Sequence, residues 1–150
     1  MGKAHARIIW DVSFSPVEFG RVFVTGSRDK SVKFWGGDNW DCLATIKFSE
    51  AVTSCAFLQE MVGGMGIVAV GLENGGIFIL GGEGGGWRVL KEVEEGMTHS
   101  DAVTGLAWRP GIVEGGGGKR ELASCGDDCS VRIYEVEIDT SGGALNGVIA

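Results

Sequence analysis

GSRDKSVKFW occupies residues 26–35, and an altered copy, CGDDCSVRIY, occupies residues 125–134. Each copy sets an aspartate, Asp29 or Asp128, among polar residues, then runs into an apolar alternation that ends on a large ring, Trp35 or Tyr134. A polar turn flanked by period-two apolar segments is a strand–turn–strand unit, and its return marks internal repetition.

The chain aligned on itself shows three such units. Each opens with an apolar strand, over 9–14, 52–57 or 103–108, in which a small residue (Ser13, Ala56, Ala107) precedes the closing aromatic. The two therefore lie on opposite faces. Pro16 and Pro110 stop the first and third of these strands, because proline has no amide to give to a ladder. Second strands are predicted over 22–25, 67–70 and 121–124, and third strands over 32–35, 77–80 and 131–134. Asp29, Asn74 and Asp128 hold the intervening turns. β-branched and apolar content predicts outer fourth strands over 42–48 and 87–93, with a weaker candidate over 145–150. The glycine-rich stretch 61–82 has no helical period, and glycine costs a helix about 1 kcal/mol per position.

Composition narrows the function classes. At 150 residues and 44% hydrophobic the chain can bury one sizeable core. Its net charge of −7 is uneven: residues 1–50 sum to +1 and each later third to −4. That excludes a global electrostatic drive toward nucleic acid or anionic membrane, while leaving the first unit free to present a basic patch. No apolar run approaches the roughly 18 residues of a membrane span, and MGKAHARIIW lacks the apolar centre of a signal peptide. A cytoplasmic location is expected, with the nucleus second. Twenty-seven glycines gather in runs such as 81–86 and 115–118. They read either as insertion loops or as long loops replaced by glycine.

Catalytic and metal motifs fare poorly. Cys42, Cys55, Cys125 and Cys129 lack paired zinc knuckles, and small buried thiols are expected instead. Residues 64–69, GMGIVA, fit a dinucleotide-binding glycine pattern with Glu83 at a suitable distance, yet a hairpin continues where a helix is needed. No P-loop occurs. No metal, cofactor or catalytic residue is expected, and the chain is read as not an enzyme. Arg7, Arg28, Lys30, Asp101 and Asp127 fall at turns of one face, where loops on a rigid scaffold present binding groups.

The turn residues are spaced by 45 and 54 positions, which resembles the roughly 40–45 residue period of WD repeats with loop insertions added. The fold expected is all-β: a partial WD-repeat β-propeller of three four-stranded antiparallel blades, over about 8–48, 51–94 and 102–150. In WD repeats a loop histidine, a turn aspartate, a strand hydroxyl and an indole form one hydrogen-bonded chain. The resemblance places His5, Thr25, Asp29 and Trp35 in those roles, and His99, Ser124, Asp128 and Tyr134 in the third unit. The second unit has Phe48, Val70, Asn74 and Leu80 there and must depend on apolar packing. Ser, His and Asp so arranged read as internal staples, not as a hydrolase triad.

Two longer segments are more specific: ARIIWDVSFSP with FVTGSRDKSVKFW, and VTGLAWRP with ELASCGDDCSVRIYEVE. They resemble the C-terminal repeats of the WD-repeat subunits of the Elongator complex. That family is longer and lacks these glycine-rich connections. The resemblance implies a non-catalytic scaffold, other Elongator-like subunits as partners, and service in modifying tRNA wobble uridines. Two rival readings remain: an adaptor for vesicle coats or iron-sulfur protein assembly, and direct tRNA contact through Arg7, Arg28, Lys30 and Lys33. Propellers close with typically four to eight blades. Three blades therefore leave apolar flanks, and a homodimer closing a six-blade ring is a further expectation.

Overall fold

The computed structural model describes residues 3–111 and 118–138. Among the described residues eleven strands form three antiparallel sheets. The first contains β1 (Ile9–Phe14), β2 (Val22–Ser27), β3 (Ser31–Gly36) and β4 (Asp41–Lys47), in that order. The second repeats the pattern with β5 (Val52–Phe57), β6 (Gly66–Leu72), β7 (Ile77–Gly82) and β8 (Arg88–Glu92). The third sheet shows β9 (Val103–Trp108), β10 (Lys119–Gly126) and β11 (Val131–Glu137). The outer strand expected over 145–150 lies outside the described residues. The first strands β1, β5 and β9 stand side by side, so the sheets stack as consecutive blades. After Pro16 the chain makes one short 3-10 turn, Val17–Phe19.

Alternation along each strand decides which neighbour a residue meets. In blade one Val24, Val32 and Phe34 face blade two and pack with Val52, Phe57, Val68, Val70 and Leu80. Blade two turns its other face, Ile67, Ala69, Ile77 and Ile79, onto Val103, Leu122, Tyr134 and Val136 of blade three. Every residue of β6 is buried. That is why GIVAVGL is apolar at successive positions instead of alternating. The Phe34 and Trp87 rings stack at 3.8 Å across the first junction.

One detail repeats at both junctions. A Cβ on Gly26 would lie 2.6 Å from Val52, and one on Gly71 would lie 2.6 Å from Val103. Each glycine is thus a hollow that receives the opening residue of the next blade. A register shift recurs at the start of β1, β5 and β9, a β-bulge that aims these opening residues across the junction.

Polar contacts also cross the junctions. Asp11 Oδ2 accepts from the Cys55 amide (2.9 Å) and the Ser54 hydroxyl (3.1 Å), and Ser13 Oγ accepts from the Phe57 amide at 3.0 Å. Trp108 Nε1 donates to the Ala56 carbonyl at 3.0 Å. Buried Arg120 pairs with Glu60 and donates to the Gly118 carbonyl at 2.8 Å.

The expectation of buried thiols needs correcting. Only Cys55 is buried, and there burial and the Asp11 carboxylate push the thiol up, away from reactive thiolate. Cys42, Cys125 and Cys129 are exposed: Cys42 sits on an outer strand, Cys125 on the flank of blade three, and Cys129 in a turn with φ 61°.

Gly71→Ala is expected to destabilise the chain by about 1–3 kcal/mol, since the added methyl overpacks the hollow that holds Val103. A urea titration monitored by tryptophan fluorescence checks this. An unchanged midpoint would show that the junction has slack.

Candidate functional site

The turns after β2, β6 and β10 lie at one end of the blades, and each first strand is entered there from the preceding loop. In blade one that loop carries His5, which is buried. Its Nδ1 lies 3.0 Å from Asp29 Oδ2, and its Nε2 lies 2.7 Å from Thr25 Oγ1. Trp35 Nε1 donates to the same Thr25 oxygen at 2.9 Å. The donors resolve in one direction: indole N–H to threonine, threonine O–H to His5 Nε2, and His5 Nδ1–H to the carboxylate. Asp29 also accepts from the Ala6 amide (2.9 Å), the Ser31 amide (3.1 Å) and the Ser31 hydroxyl.

Blade three builds the same chain from His99. Its Nδ1 lies 2.9 Å from Asp128 Oδ1 and its Nε2 2.7 Å from Ser124 Oγ. Asp128 accepts from the Ser100 amide (3.1 Å), the Ser130 amide (3.0 Å) and the Ser130 hydroxyl (2.7 Å). Tyr134 keeps Ser124 as a neighbour of its phenol and adds a partner that was not expected: its hydroxyl donates to the Met97 carbonyl at 2.9 Å. A phenol carries its O–H at the far end of the ring, whereas an indole N–H projects from the side, so the tyrosine hydroxyl reaches the loop carbonyl as well as the Ser124 side chain.

Ser31 and Ser130 complete both sites and were not anticipated. Their signal is visible afterwards: each follows the turn aspartate by two positions, where a hydroxyl folds back onto the carboxylate. Burial pushes the Asp29 carboxyl up. The Ser31 hydroxyl, the Ala6 amide and the His5 ring outweigh that and hold it well below the usual carboxylate range. At Asp128 burial again acts upward and is overcome by the Ser130 hydroxyl, the His99 ring and the Ser100 amide. Both carboxylates are spent on structure, and the serine or threonine hydroxyl faces a histidine inside the blade.

Blade two lacks the chain. Val70 and Leu80 are buried in apolar surroundings, and Phe48 packs on Phe78 at 5.1 Å. Asn74 only closes its own turn, accepting from the Gly76 amide at 3.1 Å.

The staples stand beneath a face divided by charge. Between blades one and two a cleft of about 460 Å³ is lined by Arg7, Arg28, Lys30 and Lys47 with Asp29 and Glu73. Lys30 is engaged, donating to the Ser49 carbonyl at 2.6 Å with Glu50 at 3.6 Å. Arg7, Arg28 and Lys47 are exposed and form no ion pair among the described residues. In blade three Asp101 and Asp127 hold the positions of Arg7 and Arg28. The backbone shows the equivalence, for the Arg28 amide donates to the Ile8 carbonyl and the Asp127 amide to the Ala102 carbonyl, both at 2.9 Å. A second cleft of about 550 Å³, toward blade three, is bordered by Glu92, Glu95 and Arg132. The five turn charges singled out from the sequence therefore lie at this end with opposite signs on the two outer blades. Among the described residues no group of three or more His, Cys, Asp or Glu side chains is placed to hold a metal ion.

Four-stranded blades, a histidine–aspartate pair at the turn and a threonine linking histidine to tryptophan define a WD-repeat protein. The family model for the WD domain, G-beta repeat, matches residues 2–36 and 91–135, just over half of the chain, and the chain belongs to that family. The unmatched interval, 37–90, covers all but the last two strand residues of the blade without a staple. Within the family the chain is similar to Elongator complex protein 2. It is 37% identical to the Saccharomyces cerevisiae protein over 89% of this chain, and 38% identical to the Arabidopsis thaliana protein over 88%. With the Homo sapiens protein it shares 31% identity over 89%. It spans 17%, 17% and 19% of the lengths of these three relatives.

Thr25→Val keeps the shape of the side chain but removes the oxygen that joins His5 to Trp35. A loss of about 1–3 kcal/mol is expected from the two groups left unpaired. Val70→Thr in blade two gains no such chain, and denaturant titrations of both variants test the contrast.

Because the folded carboxyls of Asp29 and Asp128 lie below their unfolded values, they contribute stability in full above the unfolded pKa of about 4. That contribution is lost as pH falls through the folded values. Melting temperature is therefore expected to drop below about pH 4, and the Asp29→Asn, Asp128→Asn double variant to be less stable at neutral pH with a flatter acid limb. Parallel acid limbs would contradict this.

Proposed function

We propose that the chain is a non-catalytic docking module of an Elongator-like assembly that modifies tRNA wobble uridines, acting in the cytoplasm with a nuclear pool. The observation that carries this reading is the basic cleft of blade one. Three cations without ion-pair partners among the described residues border it, and its floor is the Asp29 turn, locked by the staple. Cations on a rigid floor lose little freedom on binding, which favours a partner that brings carboxylates. The occupant is an acidic segment of another subunit, and Asp101 and Asp127 orient it by repelling the same segment at the far blade. Similarity to Elongator complex protein 2 supports the choice of assembly.

Direct tRNA contact is the second reading, through Arg7, Arg28, Lys30 and Lys33. Lys33 weakens it. Its ammonium lies over the Trp35 ring, 5.8 Å from the centroid, on the blade flank instead of in the cleft.

The Arg28→Glu, Lys30→Glu double variant is expected to weaken capture of the partner subunits by about tenfold or more, with an unchanged β-sheet circular dichroism spectrum. Undiminished capture would remove this face from consideration. Retention on tRNA that falls steeply with salt, and is lost in the double variant, would favour the second reading.

A further inference from the structure

The turn face changes sign from blade to blade at positions that the backbone makes equivalent. The Arg28, Glu73 and Asp127 amides donate to the Ile8, Ala51 and Ala102 carbonyls, each at 2.9 Å. These three residues therefore hold one place in successive blades, and their charges run plus, minus, minus. The residue before each accepting carbonyl repeats the order: Arg7, Glu50, Asp101. The outer strands follow it as well, for Lys47 ends β4 and Glu92 ends β8.

The sign change coincides with two clefts. Both lie at junctions inside the chain, so their lining does not depend on what borders the outer blades. The cleft of about 460 Å³ between blades one and two has Arg7, Arg28 and Lys47 as exposed cations without ion-pair partners among the described residues. The cleft of about 550 Å³ between blades two and three is bordered by Glu92 and Glu95. Neither forms an ion pair among the described residues, and the same holds for the exposed Glu73, Asp101 and Asp127. Arg132 is engaged elsewhere, with the Met97 carbonyl at 3.4 Å and Asp128 at 4.0 Å. Asn74, Thr98 and Ser100 complete the lining with side chains whose oxygens can accept from an ammonium group.

An occupant that is acidic throughout meets a conflict on such a face. Carboxylates held at the first cleft would be followed, one blade along, by Glu73, Glu92, Glu95, Asp101 and Asp127, and like charges brought together cost affinity. The conflict disappears if the occupant changes sign where the face does. Facing sheets pack about 10 Å apart and extended chain rises about 3.3 Å per residue, so one blade corresponds to about three residues.

We propose that the docking segment is bipolar: it sets carboxylates in the cleft between blades one and two and, about three residues along, Lys or Arg side chains in the cleft between blades two and three. The inference rests on the docking reading above and adds to it the charge order of the partner. The same polarity disfavours nucleic acid, whose phosphates would meet Glu92 and Glu95 at the second cleft.

Two end-blocked, fluorescently labelled peptides test this by anisotropy against the full chain at about 50 mM salt, where exposed charges are weakly screened. One carries a pair of glutamates, a Gly-Ser-Gly spacer and a pair of lysines; the other has serine in place of both lysines. The bipolar peptide is expected to bind about tenfold or more tightly than the serine form. Glu92→Lys with Glu95→Lys should erase that advantage by weakening the bipolar peptide and tightening the serine form, with an unchanged circular dichroism spectrum. Arg7→Glu with Arg28→Glu should weaken both peptides. Equal affinity of the two peptides for the wild-type chain, binding of neither, or an advantage that survives the Glu92→Lys, Glu95→Lys change would overturn the inference. Capture of partner subunits that is lost on Arg28→Glu, Lys30→Glu yet unmoved by Glu92→Lys, Glu95→Lys would keep the docking reading and remove the bipolar segment.

Discussion

A β-sheet with two apolar faces is stable only between two neighbours, and this constraint governs the molecule. Blade two has both neighbours. Its central strand is buried at every position, its junction rings stack face to face, and it needs no polar chain to hold its turn. Each outer blade has one neighbour in the described chain, and these are the blades that carry the histidine–aspartate staples. The division follows from energetics: apolar burial contributes about 25 cal/mol per Å² without regard to direction, whereas a hydrogen-bonded chain fixes one geometry even where packing is incomplete.

The staples also set what the turn face can do. An aspartate that accepts from two amides, a hydroxyl and an imidazole is a fixed point, and it steadies Arg28, its neighbour in sequence, and Arg7, which follows the Ala6 amide that Asp29 holds. Charge on this face can therefore be exchanged from blade to blade without disturbing the fold. Arg7 and Arg28 give way to Asp101 and Asp127 at equivalent places, and the hydrogen bonds beneath them stay the same. Recognition and stability occupy adjacent residues but use different atoms, which is how repeat proteins vary partners on one scaffold.

Junction chemistry adds a second layer. Gly26 and Gly71 leave room for a branched side chain from the next blade, and the bulge at the start of each first strand directs that side chain inward. Asp11 and Ser13 give blade two acceptors for amides that its own first strand leaves unpaired. The Trp87 indole N–H, by contrast, is buried with no acceptor among the described residues. The ring stack on Phe34 and the apolar burial around it outweigh a cost of about 1–3 kcal/mol.

Strand order, blade count and turn positions were legible in the residues because period-two alternation and turn chemistry are local, and a repeat states them more than once. His5, Thr25, Asp29 and Trp35, with His99, Ser124 and Asp128, could be grouped in advance for the same reason: the resemblance supplies their spacing. Three things depended on the tertiary structure. Tyr134 also reaches the Met97 carbonyl because ring shape, not residue class, decides which acceptor is within range. Cys42, Cys125 and Cys129 are exposed because a strand residue is buried only if a neighbouring blade lies against its face. Glu60, in the loop after β5, and Arg120, near the start of β10, pair across a junction, and no local pattern relates them. Contacts within one blade are written in a short stretch of chain, whereas contacts between blades join residues far apart in sequence and exist only once the sheets have stacked.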